Sequence, residues 1–252
     1  MGLESAVRST LRHSARHFPR VYNWRNQHNV LIQRLRGGVH DPDFAWLAEV
    51  TVERPLVVDV GANTGQTLQT VKALLPTARL VCIEPSALVL AALLRTAARY
   101  AEDVEVASFA VGDSFGSATI STPVAAGIIF TQFATMTEMD KSEVASMITE
   151  AGFPNVTPED IAVRKSRCVV APLDEIVDRC DVLKVDVEGF EDSVFAGARR
   201  LVQSCRPLLI IERPSSDLAD YLEGLGYEPL PTASSVNTVR VHPTNMLGIV
   251  RS

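Results

Sequence analysis

From residue 56 onward, short apolar runs alternate with amphipathic stretches. The runs at 56–60 (LVVDV), 79–84 (RLVCIE), 104–111, 182–187 and 208–211 are mainly apolar, which suits strands buried on both faces. Between them, residues 64–75 predict a helix stopped by Pro76. Ser86 caps a second helix that runs through residue 101, and its apolar residues nearly encircle it, so deep burial is expected. Residues 191–205 predict one helix, and another starts at Ser215 or Ser216 and ends near residues 224–226. The last two strands are expected at 227–230 and 246–250, joined by a turn-rich segment. Strand, helix and strand repeated with buried strands give an α/β fold, a parallel sheet with helices on both faces.

Residues 114–170 interrupt that rhythm with short β-like pieces, a polar and aromatic stretch at 131–137 and one helix. Asp140 and Glu143 have capping-box spacing at the start of this helix, and Gly152 supplies its stop. An insertion of this length beside strand ends reads as a lid or substrate segment, with plain structural cover as the alternative. At the other end, Leu3, Val7, Leu11 and Phe18 fall at helical spacing, with Arg8, Arg12 and Arg16 on another face. Either this helix lies on an anionic membrane, near a lipid-linked substrate, or it packs on the main domain with its arginines in water. His13, His17 and His28 read as surface residues. Gly37-Gly38 and Asp41-Pro42 mark a boundary, which makes 1–40 a basic helical extension and 41–252 the main domain.

Charge sharpens that division. The formal net charge is −6, yet residues 1–40 hold seven arginines against Glu4, so they carry +6 and leave −12 for the rest. An acidic body argues against nucleic acid as a partner. The longest apolar run, 87–94, ends before Arg95, well short of the roughly 20 residues of a membrane span. Four cysteines without C-x-x-C spacing read as reduced thiols of a cytoplasmic protein, with peripheral membrane contact if the first helix binds lipid.

The chemistry gathers at strand ends. VVDVGANTG at 57–65 is a strand feeding a helix through a glycine-bracketed turn, an arrangement that surrounds a small ligand with backbone N–H groups. Successive strands end on Asp59, Glu84, Asp113, Asp186 and Glu212, and all five carboxylates are expected at one crevice. As a purely structural device such a row would be odd, because like charges repel. A dinucleotide turn requires a middle glycine for pyrophosphate, whereas Ala62-Asn63 occupies that region here, and Asp59 would oppose a phosphate. An NAD(P)-dependent oxidoreductase is therefore the lesser alternative. S-adenosylmethionine, with an amino-acid moiety and a cationic sulfonium, removes the conflict.

DVGANTGQT at 59–67, IEPS at 83–86, LKVDVEGFE at 183–191, GARRL at 197–201 and LLIIE at 208–212 resemble the FkbM family of S-adenosylmethionine-dependent O-methyltransferases, over roughly residues 56–250. The resemblance implies a class I methyltransferase fold, Rossmann-like, with a seven-stranded, mostly parallel sheet and an antiparallel last strand. It implies methylation of a hydroxyl, frequently on a sugar of a glycolipid, polysaccharide or other glycosylated metabolite, so that the partner is a small-molecule or lipid-linked sugar acceptor. On matching positions it implies that Asp59, Gly61 and Gly65 hold the methionine part, Glu84 the ribose diol and Asp113 the adenine side, with Asn63 and Pro85 in the same cofactor-binding set.

A sugar hydroxyl is a poor acid, so a base or a metal is needed. Asp186 is the first candidate for the catalytic role, followed by Glu188 and Glu212. Asp186 and Glu212 would also be the ligands of a divalent cation such as Mg²⁺; the alternative is Asp186 as a bare base with a raised pKa. Glu188-Gly189 also reads as a turn former, Glu191 as a first-turn helix acid and His242 as a loop residue. The DVEG sequence differs from the (D/N)PPY type of many base-amino methyltransferases. A further alternative is a methyltransferase-like protein that binds cofactor without turnover, because a ligand site does not settle function.

Overall fold

A computed structural model describes residues 39, 41–136, 138–151, 153, 155–233 and 236–244. The expected N-terminal helix with its histidines, Gly37-Gly38, Gly152 and the expected strand at 246–250 lie outside the described residues.

The main sheet has seven strands: β1 (Leu56–Val60), β2 (Arg79–Ile83), β3 (Val104–Ala107), β8 (Val182–Val185), β9 (Leu208–Glu212), β10 (Glu228–Leu230) and β11 (Asn237–Val241). Their order is β10-β11-β9-β8-β1-β2-β3. β11 runs antiparallel to both β9 and β10, and the remaining pairs are parallel. Among the described residues, the last strand is 237–241, inside the segment read as turns. NTVRV is a short run with β-branched residues, and its place between β9 and β10 supplies the pairing that a local reading does not reveal.

Strand residues of alternate parity bury on opposite faces. Val57, Val182, Leu208 and Ile210 pack with α1 (Gln66–Leu74) and α2 (Ala87–Ala97) in one core cluster, which also takes in Phe44 and Leu47 of the 3₁₀ segment Pro42–Glu49. Val58, Val60, Leu183, Val185 and Ile211 pack on the other face with α4 (Glu191–Ala196), α5 (Arg199–Cys205) and α6 (Ser216–Gly224). Two covered faces explain why the strands read as mainly apolar runs.

Three local expectations are corrected. The helix expected through residue 101 is α helix only to Ala97, and it buries one face while Leu94 is 49% exposed. Ser86 sits at its N-cap without a side-chain capping bond. The helix expected over 191–205 breaks at Gly197-Ala198, and Gly197 lies so close to Gly112 that a Cβ would sit 1.9 Å from the Gly112 carbonyl oxygen. The third run, 104–111, splits at Ser108-Phe109 into β3 and β4 (Ala110–Val111), and β4 belongs to a second sheet.

That second sheet has the order β4-β7-β5-β6, where β6 is Ile128–Ile129. Its main pair is β5 (Gly116–Ala125) with β7 (Ala162–Ala171), two ten-residue antiparallel strands rather than short pieces. Helix α3 (Lys141–Glu150) starts with Asp140 accepting from the Ser142 and Glu143 backbone N–H groups. Its Val144, Ala145 and Ile148 form a small core with Ile128, Phe130 and Phe153. Among the described residues, no helix is long and apolar enough to cross a membrane.

Candidate active site

The β1–α1 turn is fastened before any ligand arrives. The Gly61 and Ala62 N–H groups both donate to the Ile83 carbonyl at 3.0 Å, and the Thr96 hydroxyl donates to the Thr64 carbonyl at 3.1 Å. Gly61 has φ +83°, and a Cβ there would lie 1.8 Å from the Asp186 carbonyl oxygen, so the end of β8 passes directly over the turn. Gly65, with φ +93°, abuts Leu93 and Thr96 of α2 and serves helix packing. Glu84 closes this wall: its Oε2 accepts from the Asn63 N–H at 2.8 Å and its Oε1 from the Ser86 N–H at 2.7 Å. Burial raises the Glu84 carboxyl to about 7 against the pull of these two bonds.

Strand parity brings the second set of acids to the same place. Asp59 is the register partner of Lys184 on β8, and Asp186 lies two residues beyond Lys184. Glu212 follows Leu208 and Ile210 at the same parity on β9. The Lys184 ammonium reaches Asp59 at 3.2 Å, Asp186 at 3.3 Å and the Gly61 carbonyl at 3.1 Å. Burial pushes its pKa down, but the charges of Asp186 and Asp59 outweigh that and raise it, so the lysine stays cationic inside the protein. Burial raises Asp59 while Lys184 opposes the shift. A lysine within the apolar run VLKV is the sequence signal for this residue.

A cavity of about 430 Å³ opens above this floor at the strand C-terminal ends. Gly61, Asn63, Glu84 and Pro85 line one side; Asp186, Glu188 and Glu212 line the other. Ligand oxygens of these last three acids lie within 4.8 Å of one another. Burial and then the Asp186 charge raise Glu188 to about 7; burial, then the hydrogen bond that a protonated Glu212 donates to Asp186 and the Asp186 charge, raise Glu212 to about 8. Arg213 stands at 3.5 Å from Glu212 and 3.8 Å from Glu188. Asn63 and Glu188, both lining the cavity, are in left-handed backbone at φ 46° and 53°. Glu191 holds the Glu188 loop, its Oε1 accepting from the Val187 and Gly189 N–H groups at 3.2 and 3.3 Å.

The expected row of five acids is therefore corrected. Glu84, Asp186 and Glu212 line the cavity, whereas Asp59 is fully buried beneath it and is not among the lining residues. Asp113 is exposed and lies outside the lining, just beyond Val111, the last residue of this stretch to line the cavity. Gly65 is also outside the lining, and His242 is turned to the Leu225 carbonyl at 3.1 Å and the Tyr227 ring. Lining residues missed from the sequence include Asp41, Phe109, Gln132 and Asn237; Asp41 and Asn237 are joined by a 2.8 Å hydrogen bond. No motif carries them, since they come from the sheet's periphery and from a loop.

The family comparison now has a geometry to meet. The methyltransferase FkbM domain model matches residues 59–229. The chain belongs to this family. An FkbM methyltransferase from Methylobacillus flagellatus KT is 20% identical, with a TM-score of 0.50 over 75% of this chain and 44% of that one. The chain thus spans less than half of that relative's length. Precorrin-6y C5,15-methyltransferase from Geobacter metallireducens GS-15 is 13% identical, at a TM-score of 0.40 over 78% of this chain and 83% of that one. Aeropyrum pernix fibrillarin in complex with natively bound S-adenosyl-L-methionine is likewise 13% identical, at 0.40 over 86% and 76%. No curated protein sequence matches the chain. At such identities structural likeness speaks to fold alone, and the fold is the class I methyltransferase arrangement.

Proposed function

We propose that this FkbM-family protein is an S-adenosylmethionine-dependent O-methyltransferase acting on a hydroxyl of a sugar-bearing acceptor. The observation that carries the reading is the pairing of two unlike walls around one cavity: a hydrogen-bonded turn with Glu84 on one side, and the Asp186, Glu188 and Glu212 carboxylates on the other. Acid-lined walls suit a ligand with a cationic centre and disfavour a pyrophosphate. Gly61 lets the β1–α1 turn pack against the end of β8, where a Cβ would strike the Asp186 carbonyl oxygen, and so brings the two walls together. Glu84 would take the ribose hydroxyls on its remaining lone pairs, and the 61–63 turn the methionine part.

When bound, S-adenosylmethionine supplies an activated methyl carbon, which an acceptor oxygen takes as the carbon–sulfur bond breaks and the sulfur keeps the electron pair. The protein's tasks are alignment and one proton. Asp186 would receive that proton, with Glu212 and Glu188 sharing it through the cluster, and Lys184 fixes the Asp186 carboxylate from below. Carboxyls raised to about 7 and about 8 are suited to exchanging a proton near neutral pH. The sugar is the acceptor class implied by the family resemblance.

A second reading adds a divalent cation, favoured by the closeness of the Asp186, Glu188 and Glu212 oxygens. Lys184 and Arg213 already neutralise part of that charge, which favours the metal-free form. Calorimetry should show binding of S-adenosylmethionine and none of NAD. Labelled methyl should then pass to a member of a panel of glycolipids and glycosylated metabolites. Binding of NAD in its place would reject the reading, and activity surviving exhaustive chelation would reject the cation.

A further inference from the structure

A second cavity, about 310 Å³, opens across Glu188 and Glu212 from the first, and these two residues together with Thr135 line both spaces. Thr135 is tied to both sides. Its backbone exchanges hydrogen bonds with Ser121 of β5 at 2.8 and 3.0 Å, and its hydroxyl donates to the Glu188 carbonyl at 3.3 Å. The far wall is apolar, built from Phe133, Met139, Val144 and Met147. Its charged lining is one-sided: Glu138, Asp140 and Glu143 stand at the start of α3, and Arg213 is the one basic lining residue among those described. That arginine already faces Glu212 and Glu188.

Resting on the methyl-transfer reading above, we propose that this second cavity is the acceptor site, and that it takes an uncharged or amine-bearing hydroxyl compound while turning away phosphate- and carboxylate-bearing ones. Three observations converge. An in-line displacement needs the acceptor oxygen opposite the sulfur across the methyl carbon, with a proton-accepting group beside that oxygen, and the second cavity shares Glu188 and Glu212 with the first. Small-ligand pockets span about 300 to 1,000 Å³, so this one suits a single ring-sized unit. Two methionines and a phenylalanine offer an adaptable apolar wall to the C–H face of a ring or to an alkyl substituent. An anionic acceptor would face acids on the α3 rim and at the shared wall, with one cation already engaged.

The test uses the full chain loaded with S-adenosylmethionine and three probes: butyl glucoside, butyl glucosaminide and glucose 1-phosphate, followed by saturation-transfer NMR. The first two should bind and the third should bind at least about tenfold more weakly. Met147→Trp, which fills the cavity, should abolish binding of the first two while calorimetry shows cofactor affinity unchanged within about twofold. If that variant fails to fold, Met139→Trp blocks the same space from the neighbouring wall. Glu143→Lys, on the exposed rim, should raise affinity for glucose 1-phosphate by about threefold or more. Equal binding of the phosphate probe, binding of none of the three, or probe binding that survives both Trp variants would overturn the proposal. Failure of S-adenosylmethionine itself to bind would instead remove the reading on which the proposal stands.

Discussion

The two walls of the larger cavity are both built from acids at strand ends, yet they differ in how those acids are held. On the β1–β2 side, both Glu84 oxygens accept backbone N–H groups at 2.7 and 2.8 Å. On the β8–β9 side, Asp186, Glu188 and Glu212 face one another, with Lys184 and Arg213 as their cations. A carboxylate committed to backbone donors is rigid and suits recognition, whereas carboxylates held against each other have protons that move easily. On the proposed reading the first wall binds and the second reacts.

The comparison breaks if the walls respond alike to substitution. The largest expected effect is on turnover: Asp186→Asn should lower kcat by about 10² to 10⁴ while the calorimetric affinity for S-adenosylmethionine changes by less than about threefold. Unchanged turnover would take Asp186 out of the reactive wall. Next comes the floor beneath both walls. Lys184→Met leaves Asp59 buried without its cation, so urea unfolding should register a loss of about 3–5 kcal/mol. Adding Asp59→Asn should restore much of it, because the uncompensated charge is then gone; absence of any rescue would mean that the lysine acts mainly through packing.

A smaller change is expected from Glu84→Gln. Its amide would confront a backbone N–H, and cofactor affinity should fall by about tenfold to a hundredfold, from the loss of a hydrogen bond to a charged group, with kcat at saturation nearly preserved. A selective fall in kcat would reverse the assignment of the walls. The most modest effect concerns pH. The Glu212 carboxyl has a folded pKa of about 8, above the ordinary value of 4.5. The folded state therefore holds its proton more tightly, and the stability this contributes is present below about pH 4.5 and lost as pH rises through about 8. E212Q should accordingly lose less melting temperature than the wild type between those limits, and parallel melting curves would refute the raised pKa. Wild-type turnover should rise with pH across about 7 to 8 as Glu188 and Glu212 shed protons, and E212Q should flatten the upper part of that rise.

Much of the main sheet was legible because its strands are buried on both faces and their composition has no ambiguity of face. Leu56–Val60 is an example, coinciding with the observed β1. The second sheet was harder: β5 and β7 pair residues such as Ser121 with Lys165, whose local sequences carry little apolar alternation, and the pairing itself is what stabilises them. The same holds for β11, which is short and becomes a strand by fitting between two others.

For the site, the sequence by itself determined that acids end the strands, that the first turn departs from a dinucleotide pattern, and that the motifs resemble one family. These follow from residue type and spacing along single elements. Packing of distant segments placed Asp59 below the cavity and Asp113 outside its lining, and set Lys184 between Asp59 and Asp186. The reason is that strand parity and register, together with the point at which the chain leaves one sheet for another, set which side chains share a space. Those relations belong to pairs of distant segments and have no local sequence signature.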